Sequence, residues 1–127
     1  MVPSNDIEAL RRALEIQDDE AHAATLAVHA QTLMPAEIAA KLPPLYSQEG
    51  RGEDAIAQVK FFTPWTNWTW YASEYDPDQR LCFGAVVGHE RELGYFSIDE
   101  LEEIRGPGGL RIERDLHFRP RPLKECA

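Results

Sequence analysis

Apolar residues near the start of the chain recur at Ile7, Leu10, Leu14, Ala21, Ala24 and Val28. Spacings of three, four and seven place them on one side of a helix over 6–31, with Asn5 and Glu8 suited to its first turn. The stripe is thin: Gln17 and Asp18 interrupt it and its second half is mostly alanine. Such a helix packs on a neighbour, or forms an appended arm or a weak coiled-coil seam, rather than supplying a core. Pro35 fits a first helical turn, so a short helix is expected over 35–42, with Ile38 and Leu42 inward and Pro43-Pro44 ending it.

After a polar, glycine-bearing loop the period changes to two. Ala57, Val59 and Phe61 alternate with Gln58, Lys60 and Phe62, which predicts a strand over 55–63. Pro64–Asn67 makes a turn, and a second strand over 67–75 places Trp68, Trp70 and Ala72 on one face and Thr69, Tyr71, Ser73 and Tyr75 on the other. Asp76-Pro77-Asp78 is a turn by its side-chain chemistry, and a nearly continuous apolar strand follows over 80–88. The charged stretch Gly88–Gly94 reads as a connection. Ser97 with Glu100 forms a capping box that opens a helix over 98–105, and Gly106-Pro107 closes it. A last strand is expected over 110–118, then an extended tail. The class is α+β, with a mainly antiparallel sheet of about four strands. The expected organisation is an N-terminal helical extension over 1–32, a core domain over 33–123 and a tail over 124–127.

The chain has 127 residues, 43% hydrophobic and 28% charged, enough for one domain with a real core. No stretch approaches the roughly 18 apolar residues of a membrane helix, and the N-terminus lacks the basic and apolar regions of a signal peptide. A cytoplasmic location is expected. Cys82 and Cys126 could in principle tie the tail to the sheet, but cytosolic thiols stay reduced. The net charge of −9 argues against broad binding to duplex nucleic acid, which needs clustered Lys and Arg, and suits either plain solubility or an acidic face aimed at a protein partner with a basic surface.

Two groups of residues are candidates for a site. Glu74, His89, Glu90 and Glu92 would gather carboxylates and one imidazole if the strands flanking the Asp76–Gln79 turn pair, and such a set could hold a metal and activate water. Their spacing matches no ligand motif, and charges at a sheet edge also serve to keep it from pairing. The second group is Trp65, Trp68, Trp70, Tyr71 and Lys60, an aromatic hairpin that could stack single-stranded bases if one face were exposed. Core packing is the plainer role for these rings. His22 and His29 lie too far apart on a helix to share an ion, and His117 alternates with apolar neighbours as a strand residue does. Gly106–Gly109 follows a helix where a phosphate loop precedes one. No motif for nucleophilic catalysis is present, and no cofactor is implied.

The segments Leu42–Tyr46, Val59–Pro64, Trp68–Tyr71, Phe83–Gly88, Glu92–Ser97 and Ile112–Phe118, in this order, resemble the bacterial family known as domain of unknown function 2958. The resemblance runs from about Leu33 to Leu123 and leaves the first helix outside. It implies a small cytosolic accessory protein of the kind carried on plasmids and integrating or conjugative elements, with no established reaction and no catalytic residue to transfer. Together these readings point to a non-enzymatic protein-binding module, acting in host-defence interference or as a mimic of DNA. Single-stranded nucleic-acid binding and metal-dependent hydrolysis are the alternatives.

Overall fold

Val59 and Phe61 alternate with Lys60 and Phe62 along a strand whose inner side chains are covered, and the sheet grows antiparallel on both sides of it. The computed structural model describes residues 32–127. In chain order these form α1 (Ala36–Ala39), β1 (Ile56–Ala57), β2 (Val59–Phe62), β3 (Thr69–Asp76), β4 (Leu81–Val87) and β5 (Arg91–Ser97). Then come α2 (Ile98–Glu103), β6 (Glu113–Arg114) and β7 (Arg121–Pro122). Five strands make one sheet in the order β5-β4-β3-β2-β6, and β1 pairs with β7 in a separate two-stranded ribbon. The fold is α+β, as the hydrophobic pattern implies.

Local chemistry explains the elements that match. Asp76 accepts a hydrogen bond from the Asp78 amide (3.0 Å) in the β3–β4 turn, and Ser97 caps α2 by accepting from the Glu100 amide (3.2 Å). Arg80 then fastens α2 to that turn with two bonds to Glu102, both 3.0 Å.

Other expectations are corrected. The helix expected over 35–42 forms a regular turn only at Ala36–Ala39, and the amides of Lys41 and Leu42 bond to carbonyls three residues back, tightening its end. The strand expected over 55–63 breaks at Gln58: β1 turns away to pair with β7, so Ala57 and Val59 serve different clusters. The stretch read as a connection, Gly88–Gly94, holds the first four residues of β5, whose seven residues pair in unbroken register with β4. The strand expected over 110–118 shrinks to β6 because Asp115 caps the backbone amide of His117 (2.9 Å) and starts a turn. The helix expected over 6–31 lies outside the described residues.

The two faces of the sheet are covered differently. On the first, Phe61, Trp70, Ala72, Tyr75, Cys82 and Phe96 pack with Leu33, Met34 and Leu42, with Ile98 and Leu101 of α2, and with Ile112. On the second, Tyr71 and Ala85 pack with Ala55, Ala57, Leu123 and Cys126. Cys126, in the stretch 124–127, is thus part of the second layer together with Leu123. Arg91 holds that layer down: its guanidinium donates to the carbonyls of Cys126 (3.0 Å) and Leu123 (2.7 Å) and forms a two-pronged pair with Glu53 (2.9 and 2.8 Å). The two cysteines are free and buried in different clusters, and no disulfide joins them.

A β-bulge interrupts the β3–β4 pairing. Ala72 faces Gly84 and Glu74 faces Phe83, so Ser73 is the extra residue. The alternation of β3 reverses there. Tyr75, expected on the face of Tyr71, instead joins Trp70 and Ala72 in the first-face core, and Glu74 moves to the second face. Ser73 is itself buried and donates its hydroxyl to the Phe83 carbonyl (3.1 Å). Gly84 is required opposite the bulge, because a Cβ there would lie 1.7 Å from the Tyr71 carbonyl oxygen.

Two outcomes follow from this packing. Gly84→Ala should destabilise the domain by about 3 kcal/mol. Gly94→Ala on β5, where a Cβ meets nothing within 4 Å, should stay within about 0.5 kcal/mol in chemical denaturation. Equal losses would show that close approach at Gly84 does not matter. Burial pushes both thiols above their ordinary range, Cys82 furthest, so a thiol reagent should label neither quickly in the native state. Arg91→Ala should speed labelling of Cys126 and leave Cys82 slow, as peptide mapping of the labelled protein would show.

Candidate functional site

The aromatic hairpin proves to be largely interior. Trp70 is 7% exposed and Tyr71 3%, on opposite faces of β3, while Trp65 and Trp68 are half-buried against the first-face core. Neither Trp70 nor Tyr71 offers a face to a base. Lys60 is engaged as well, with its ammonium 3.7 Å from Asp115 and 5.9 Å from the centre of the Tyr71 ring. The charged candidates separate. His89, Glu90 and Glu92 line a shallow hollow with Trp68 and Val86 beside the β4–β5 turn, where His89 meets the Trp68 ring edge-on at 5.8 Å. Glu74 pairs in register with Phe83, toward the opposite end of β4 and on the other face. Among the described residues no three His, Cys, Asp or Glu side chains stand close enough to share a metal ion.

What the bulge does with Glu74 defines a different site. Its side chain is 4% exposed, yet among the described residues none of the ion pairs includes it. The carboxylate instead accepts one backbone N–H on each oxygen, from Tyr46 (2.8 Å) and Gln48 (2.7 Å). Gln48 ties the same loop to the sheet twice more. Its side-chain amide donates to the Ser73 carbonyl (2.8 Å) at the bulge and accepts from the Ile56 amide (2.9 Å). The Tyr75 amide completes the join by donating to the Pro43 carbonyl (2.9 Å). Beyond the first residue of β2, which pairs with Ala72, the 43–48 loop thus continues the hydrogen bonding of β3.

Aiming the Tyr46 amide at Glu74 requires a left-handed backbone, φ 72°, at a residue other than glycine. That conformation costs about 1–3 kcal/mol and persists only where surrounding bonds impose it. The residue is 62% exposed.

Glu74, Phe83 and Tyr95 form one row across β3, β4 and β5. Phe83 and Tyr95 meet edge to face at 5.0 Å, and Tyr46 meets Tyr95 at 6.5 Å and 62°. With Gln48, Glu49, Ala55 and Leu93 they enclose a cleft of about 320 Å3. Tyr95 is 50% exposed at its mouth. Its hydroxyl is held above the ordinary tyrosine range first by the neighbouring Tyr46 hydroxyl, then by desolvation and by the negative charge of neighbours that include Glu74 and Glu49. The cleft therefore combines aromatic walls, negative potential and a buried carboxylate that no cation among the described residues pairs with. Of the predicted residues only Glu74 lies in it. Tyr46, Phe83 and Tyr95 escaped notice, although the alternation of Leu93 and Tyr95 was a readable signal for a half-exposed strand.

A small antiparallel α+β domain with an aromatic and acidic cleft beside its edge strand is the class that the fold and geometry define. The chain belongs to the family described as "Protein of unknown function (DUF2958)", whose model matches residues 33–125. No curated protein and no solved structure matches the chain significantly. No helix among the described residues is long and apolar enough to cross a membrane.

The role of Glu74 in holding the loop is directly measurable. Glu74→Gln keeps shape but sets an amide nitrogen against one of the two N–H donors, and should cost about 1–3 kcal/mol in denaturation. Glu74→Ala should cost about 3 kcal/mol and raise hydrogen exchange at the Tyr46 and Gln48 amides. A Glu74→Ala variant as stable as the parent would show that the loop is held by other contacts.

Proposed function

We propose that this domain is a non-enzymatic binding module for a protein partner with a basic surface, engaged at the cleft between the 46–55 loop and β5. The observation that carries the reading is Glu74, a buried carboxylate that has no cationic partner among the described residues, beside the exposed rings of Tyr46 and Tyr95. Burying a carboxylate costs free energy that a bound cation would offset, and two backbone N–H bonds leave lone pairs free to meet one. The net charge of −9 adds long-range attraction for a basic partner. β5 is the last strand of its sheet, so a partner segment could also run along it and add main-chain bonds. A partner that handles nucleic acid would supply such a surface. This suits the setting of a cytoplasmic accessory protein on a bacterial mobile element, interfering with host defence or standing in for DNA.

The test is a titration of the 15N-labelled protein with a peptide of mixed lysines and arginines, followed by amide shifts. Perturbation should centre on Tyr46, Gln48, Leu93 and Tyr95, and affinity should fall roughly tenfold between about 50 mM and 500 mM salt. Shifts centred on the His89–Glu92 turn, or none at low salt, would remove the cleft as the binding surface.

A further inference from the structure

We infer that the cleft is an aromatic cage for an alkylammonium group, the side-chain ammonium of a lysine or N-methylated lysine on the partner. The inference rests on the binding-module reading and specifies its chemistry. A cation is drawn to the faces of aromatic rings within about 6 Å, and ammonium ions, methylated ones above all, are held where several rings converge beside a carboxylate. Tyr46, Phe83 and Tyr95 converge here at ring separations of 6.5 and 5.0 Å, with Tyr95 common to both pairs. Glu74 and Glu49 both line the cleft, Glu74 as its buried carboxylate. The negative potential at the Tyr95 hydroxyl, to which both carboxylates contribute, has the sign a cation needs. Leu93 and Ala55 provide apolar wall for the methylenes of a lysine stem, which pack on such surface while the charge seeks polar partners.

The hydrogen bonding of Glu74 separates ammonium from guanidinium. Each carboxylate oxygen already accepts one of two neighbouring backbone N–H groups, at 2.8 and 2.7 Å. That is the two-pronged contact a guanidinium would make, so the fork of an arginine finds its place taken. An ammonium is a compact charge with no such planar requirement and can use the lone pairs that remain.

Four peptides identical except at a central lysine, trimethyllysine, arginine or norleucine test the inference, together with tetramethylammonium chloride alone. The readout is the shift of the Tyr46 and Gln48 amides in the intact protein. The lysine or trimethyllysine peptide should bind at least about tenfold more tightly than the arginine and norleucine peptides. Tyr95→Leu, which keeps apolar bulk at a half-exposed position but removes the ring, should abolish that preference. Arginine binding as tightly as lysine, with the same amides moving, would overturn the ammonium preference while leaving the binding module intact. Norleucine binding equally would overturn the role of charge. Shifts with tetramethylammonium but with neither lysine peptide would overturn lysine as the source of the cation. No shift with any probe would overturn both the cage and the cleft.

Discussion

The extra residue at Ser73 sets the rest of the arrangement. A strand in strict alternation would send Glu74 to the side of Trp70, Ala72 and Cys82, a carboxylate in the apolar core, and Tyr75 to the other side. One bulge exchanges them. Tyr75 enters the first-face core, and Glu74 reaches the second face in line with Phe83 and Tyr95. The bulge in turn requires Gly84, since no side chain fits against the Tyr71 carbonyl, and is fastened by the Ser73 hydroxyl and by Gln48. Fold and cleft therefore share one irregularity.

The sequence was most legible where chemistry is local. Ser97 and Glu100 marked the start of α2, Asp76 and Asp78 marked a turn, and the alternation of Val59 and Phe61 marked a covered strand. Non-local pairing was less legible. Gly94 and the charges of Arg91 and Glu92 made β5 resemble a connection, because an edge strand with one exposed face needs little apolar content. Leu123 and Cys126 are buried by a cover that no periodicity marks, and their place depends on Arg91 reaching two backbone carbonyls about thirty residues away. The bulge was hidden for a related reason: Ser73 and Gly84 announce it only once their strands are known to pair.

The same reasoning explains why the candidate site was only partly visible. Glu74 was singled out for its charge and grouped with His89, Glu90 and Glu92 on the premise of nearby strands. The strands do pair, but register sets Glu74 against Phe83 and leaves Glu92 against Val86. Distance along a ladder and the choice of face, both fixed by register, dissolve the group. The tryptophans drew attention by their mass, and that mass is spent on packing. Tyr46, in a loop after two prolines, belonged to a family-like segment but carried no mark of a site, since its position depends on a hydrogen bond to a residue 28 positions later.

Tyr46 shows how stability and the proposed binding would be linked in this cleft. Its left-handed backbone is unfavourable, and the Glu74 carboxylate that holds it is also unfavourable to bury. Each partly offsets the other, because the strained turn delivers the N–H groups that solvate the anion. The offset is incomplete in charge, since peptide dipoles do not neutralise a carboxylate. A cation entering the cleft would complete it and would at the same time tighten the loop. Ligand binding should therefore be coupled to the order of residues 43–48, with the bulge as the fixed support and the loop as the part that responds.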